Sequence, residues 1–79
     1  MKDTLYYIVS SIVDNPKAVK IEEGEQDGII NFSVTVAKED MGKVIGKEGK
    51  IIRAIRSVMK IPAIKQNKII NITLNEAPQ

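Results

Sequence analysis

The chain contains no cysteine, no histidine and no tryptophan, and its only aromatic side chains are Tyr6, Tyr7 and Phe32. Without cysteine there is no disulfide framework, and a reducing cytoplasm is the default expectation. Lacking His and Cys, the chain has neither the commonest general base nor the best thiol nucleophile, which argues against an enzyme. Its carboxylates concentrate in the first half without metal-ligand spacing. All three aromatics also lie in that half, which disfavours stacking of bases on aromatic rings. No apolar run approaches the ~20 residues of a membrane span, and there is no signal-peptide pattern. No membrane span is expected.

What remains is a small aliphatic chain. Its 79 residues leave room for one domain, and hydrophobic residues, mostly Ile and Val, make up 43%. This is a globular composition. The net charge is only +2, but it is unevenly placed. Residues 1–40 carry four lysines against eight acids, a net of −4, and residues 41–79 carry eight bases against Glu48 and Glu76, a net of +6. One half is therefore electropositive, as expected of a face that meets phosphates; an exposed, solvated helix face would give the same pattern.

Hydrophobic periodicity sets out the elements. Leu5, Ile8, Val9 and Ile12 predict an amphipathic helix from Lys2 to Val13, ended by Asp14-Asn15-Pro16. Val19 and Ile21 mark a short strand, and Gly24 to Gly28 a turn. Ile30, Phe32, Val34 and Val36 mark a longer strand that pairs with the first as a hairpin. Lys38 to Val44 reads as a short helix, with Glu39 and Asp40 at its positive end. A second helix is expected from Lys50 to Lys60, with Pro62 ending or bending it. Lys65 to Lys68 is a polar loop, Ile70, Ile72 and Leu74 mark the last strand, and Asn75 to Gln79 reads as a frayed tail. The order helix-strand-strand-helix-helix-strand predicts an α+β fold, a three-stranded sheet covered on one face by helices.

Between the two central helices lies Gly46-Lys47-Glu48-Gly49. Glycine lacks a Cβ, so the chain can turn tightly and a phosphate can approach the main chain. The following helix start offers unpaired N–H groups and partial positive charge. Lys43, Lys47, Lys50 and Arg53 surround the loop and Glu48 opposes them. The glycines alone fit a plain helix-helix connection equally well. The loop lacks the Gly-Lys-Ser/Thr ending of a nucleotide-binding P-loop.

The wider segment Val44-Ile45-Gly46-Lys47-Glu48-Gly49-Lys50-Ile51-Ile52-Arg53-Ala54-Ile55 resembles the KH-domain signature. Val44, Ile45, Ile52 and Ile55 stand at its aliphatic positions. The element order is similar to the type II, bacterial version of that fold. The resemblance covers almost the whole chain, and a stand-alone domain led by Asp40-Met41-Gly42-Lys43 most resembles the KhpA family.

The resemblance implies single-stranded RNA as partner, about four nucleotides lying in a groove with the Gly-x-x-Gly loop on their backbone. Gly46 and Gly49 would allow close approach and Lys47 would hold phosphate. Lys43, Lys50 and Arg53 would add salt-dependent attraction. Val44 and Ile45 would line the groove floor or belong to the core. The last strand would offer backbone groups at Ile70 to Ile72 to base edges. Lys65 and Lys68, before that strand, would close the groove or be solvated. The resemblance also implies a homodimer or pairing with KhpB.

The second helix is consistent with association, since Ile51, Ile52, Ala54, Ile55, Val58, Met59 and Ile61 form a wide apolar stripe with Val58 and Ile61 as candidate contacts. Glu48 departs from an all-basic loop and predicts low affinity and little sequence specificity. A protein-interaction adaptor that mainly dimerises is the competing expectation, and single-stranded DNA would satisfy a phosphate clamp as well. No cofactor is expected.

Overall fold

The computed structural model describes residues 1–77. Among them, α1 (Lys2–Ile12), β1 (Lys20–Gln26), β2 (Ile29–Val36), α2 (Met41–Ile45), α3 (Lys50–Lys65) and β3 (Ile69–Glu76) follow in the predicted order. The sheet order is β1-β2-β3, with β1 antiparallel and β3 parallel to β2. β1 and β2 are joined by Asp27-Gly28, both at positive φ (53° and 77°). That two-residue turn carries the right-handed twist of a hairpin without splaying its strands.

Alternation along the strands separates two faces. Ile30, Phe32, Val34, Val36 and Ile72 are buried beneath the helices with Leu5, Val9, Val44, Ile52, Ile55 and Met59. The opposite face is polar, and there Asn71 donates to Asn31 (3.2 Å) and Asn75 to Ser33 (2.6 Å).

Four expectations are revised. Pro62 does not end α3, which runs on to Lys65 because Ala63 in the extra turn packs into the core. The helix closes instead on Asn67, a left-handed residue at φ 56°, with Lys68 N–H donating to the Ala63 carbonyl (2.8 Å) and Asn67 N–H to that of Ile64 (3.0 Å). β1 continues through Gly24 to Gln26, so only Asp27 and Gly28 turn. The segment from Lys38 begins as a single 3-10 turn, Lys38–Asp40, before α2. Asn75 and Glu76 belong to β3, and Ala77 N–H still bonds to the Val36 carbonyl (2.8 Å); the rest of the predicted tail lies outside the described residues.

Candidate nucleic-acid interface

The loop geometry is set by three departures from helical backbone within four residues. Gly46 ends α2 at φ 77°, ψ 172°, Glu48 lies at φ 57°, ψ 24°, and Gly49 at φ 73°, ψ 17°. The first of these conformations is open essentially to glycine alone. Space adds a second constraint: a Cβ on Gly46 would lie 2.6 Å from Ile51 Cγ1 and 2.9 Å from Ile51 N. Gly49 has room for a side chain, so only its left-handed φ favours glycine there.

The loop is braced by its own hydrogen bonds, Gly46 N–H to Gly42 O (2.9 Å) and Gly49 N–H to Gly46 O (3.1 Å). Lys47 and Glu48 form, with Gly49, a single 3-10 turn that leads directly into α3. α3 then opens with Lys50 and Arg53 and no acid in its first turn. Cations are unfavourable beside the positive end of a helix, and an anion placed there would relieve both. Lys47, Lys50 and Arg53 are exposed and have no ion-pair partner among the described residues.

Lys43 is placed differently. Its ammonium pairs with Asp14 at the end of α1 and lies 4.0 Å from Asp40. The Asp14 hydrogen bond raises its pKa above the ordinary lysine value. Asp40 is fully buried and accepts N–H bonds from Asp14 (3.1 Å) and Asn15 (3.0 Å), so it joins the end of α1 to the start of α2 rather than capping α2. Val44 is a core residue, while Ile45 is 36% exposed beside the loop. Lys68 is held by Glu25, and Lys65 is exposed at the end of α3.

The structure also brings Arg56 and Lys60, which sequence patterning did not single out, to the last strand. A cleft of about 390 Å³ lies between α3 and the free edge of β3, lined by Arg56, Lys60, Ile70, Ile72 and Asn71 among others. Arg56 Nη2 donates to the Ile72 carbonyl at 3.3 Å. The spacing Arg53, Arg56, Lys60 was the available signal, since steps of three and four put all three on one helix flank. The other flank of α3 is apolar. Ile51, Ala54 and Val58 face Ile8 and Ile12 of α1 across a groove of about 360 Å³.

A sequence model described as KhpA/KhpB, KH domain, matches residues 2–74. The chain belongs to this KH-domain family. Curated relatives named RNA-binding protein KhpA match over most of their length. That of Chlamydia caviae is 42% identical over 76 residues, covering 96% of this chain and 97% of the relative. The protein from Clostridium acetobutylicum is 48% identical over 68 residues, with 86% and 91% covered. The protein from Listeria monocytogenes is 38% identical over 76 residues, with 96% and 100% covered. As a KH domain, the chain has the α-β-β-α-α-β order and mixed sheet expected of type II. No helix of this KH domain is long and apolar enough to cross a membrane among the described residues.

Proposed function

We propose that this KH domain is a non-enzymatic RNA-binding module that holds single-stranded RNA by its backbone at Gly46-Lys47-Glu48-Gly49, as a cytoplasmic RNA chaperone or post-transcriptional regulator. The naming of its relatives as RNA-binding proteins supports RNA as the partner. The observation that carries the reading is the loop itself, a glycine-bounded turn that exposes Lys47 beside a helix start bearing Lys50 and Arg53 with no acid and no ion-pair partner among the described residues. Phosphate supplies the countercharge that this helix start lacks. Gly46 and Gly49 keep the approach open, and Ile45 contacts the strand from the loop's apolar side.

Replacing Lys47 and Glu48 together with Asp tests this. Retention of short single-stranded RNA should fall at least about tenfold with the fold intact by circular dichroism, since each lost phosphate contact also loses counterion release. Undiminished binding would show that the loop is not the clamp. A parallel titration with single-stranded DNA measures whether the 2′-hydroxyl matters.

Self-association is supported by the apolar flank of α3. Val58 is 47% and Ile61 60% exposed, continuous with the groove against α1. Two copies joined there, or one copy joined to KhpB, would place two weak grooves on one RNA and raise avidity. Val58→Glu should convert a dimer to a monomer in sedimentation. If cellular function depends on that residue and not on Lys47 and Glu48, the module serves as an adaptor.

A further inference from the structure

β3 is an edge strand whose outward backbone groups are known from its pairing. Ile69 N–H bonds to Gly28 O (3.0 Å) and Ala77 N–H to Val36 O (2.8 Å), so odd-numbered residues of β3 turn their backbone groups toward β2. Even-numbered residues, Ile72 among them, turn theirs outward. Left alone, Ile72 would offer a donor N–H and an acceptor C=O side by side. That pair matches adenine, which presents an N6 donor next to a ring-nitrogen acceptor.

Arg56 changes this pattern. Its guanidinium already donates to the Ile72 carbonyl and brings its remaining N–H groups to this edge, in a cleft that also holds Lys60. With one carbonyl lone pair taken and a guanidinium added, donors predominate along this edge. A donor-rich wall favours a base with two adjacent acceptors. Cytosine has O2 next to N3, and guanine has O6 next to N7. Adenine and uracil have no such adjacent pair, because an N–H group lies beside or between their acceptors.

We infer that Arg56 is the specificity-determining residue of the α3/β3 cleft and selects cytosine or guanine over adenine and uracil at one nucleotide position. This rests on the RNA-binding reading above and adds base preference to it. The planar fork matters as well as the charge, since lysine is a point charge that cannot bridge two acceptors in the same way.

The test is fluorescence-anisotropy titration of the full chain with short oligo(rC), oligo(rA), oligo(rU), and oligo(rU) carrying one central G. The wild type should prefer the C and G probes by on the order of tenfold, the scale of one bidentate contact. Arg56→Ala should abolish that preference and shift the ranking toward oligo(rA), because the Ile72 carbonyl is released. Arg56→Lys keeps the charge and should still lose the C and G preference. A structural tether alone would lower affinity for all probes equally, and that outcome overturns the inference. So does a C and G preference that persists in Arg56→Ala or Arg56→Lys, or wild-type binding that ignores base identity. Absence of wild-type binding to every probe would overturn the RNA-binding reading itself.

Discussion

Gly46 and Ile51 are fitted to one another: the position a Cβ would take on Gly46 is already filled by Ile51 Cγ1, 2.6 Å away, and by the Ile51 backbone nitrogen, 2.9 Å away. The loop and the first turn of α3 are therefore one unit. Gly46→Ala has to move α3 backbone as well as adopt a conformation reserved for glycine. It should cost about 2–3 kcal/mol in urea unfolding. Gly49→Ala meets only the left-handed penalty and should cost about 1 kcal/mol. Equal effects of the two would show that the Ile51 contact carries no energy.

Glu48 opposes itself. Beside the N-terminus of α3 it is favourable for the helix, yet it places negative charge where a phosphate would sit. Glu48→Lys should therefore bind RNA more tightly, with a steeper salt dependence by about 0.7 in log–log slope for each added phosphate contact. The same variant should be less stable by about 0.3–1 kcal/mol. Affinity against salt and a urea midpoint, measured on the same samples, check both signs.

Lys43 and Lys50 carry the same charge in different company. Because Asp14 and Asp40 already hold the Lys43 ammonium, Lys43→Met should flatten the salt dependence of RNA binding less than Lys50→Met does. The linkage has a definite sign. The folded-state pKa of Lys43 is raised above 10.5, so its contribution to stability is fully present at neutral pH. It disappears only as pH rises from the ordinary lysine value through the higher folded one. Comparing Lys43→Met with the wild type between neutral and strongly alkaline pH should show the difference in stability closing only at the alkaline end.

Asp40 is the buried joint between α1 and the helix that leads into the loop. Asp40→Ala strands the Asp14 and Asn15 N–H groups and removes a partner of Lys43, a loss of about 3 kcal/mol. Asp40→Asn retains one acceptor oxygen and should lose less. Thermal unfolding of the two variants ranks them, and the reverse order would show that the carboxylate pair is not what joins the segments.

Much of this molecule was legible in its residues. Period-two alternation from Ile30 to Val36 and helical spacing from Leu5 to Ile12 fixed the elements, because periodicity is a local property of the chain. The Gly46 to Gly49 loop, the cations around it and the α+β class came from the same local signals. Helix length at Pro62 did not, since the lost backbone bond there competes with burial of Ala63, and burial is decided by distant residues.

By itself, then, the sequence determined the order of elements, the glycine loop and a basic second half. Only the tertiary structure decided how the charges and apolar residues were used. It paired Lys43 with Asp14, twenty-nine residues away in the chain, and sank Asp40 into the joint beside them. It also divided the stripe of α3, burying Ile52, Ile55 and Met59 while leaving Val58 and Ile61 exposed, and set Arg56 on the free edge at Ile72. A helix has several flanks that composition alone cannot tell apart. Which one meets the sheet, which meets α1 and which faces an open strand edge depends on where the other elements pack.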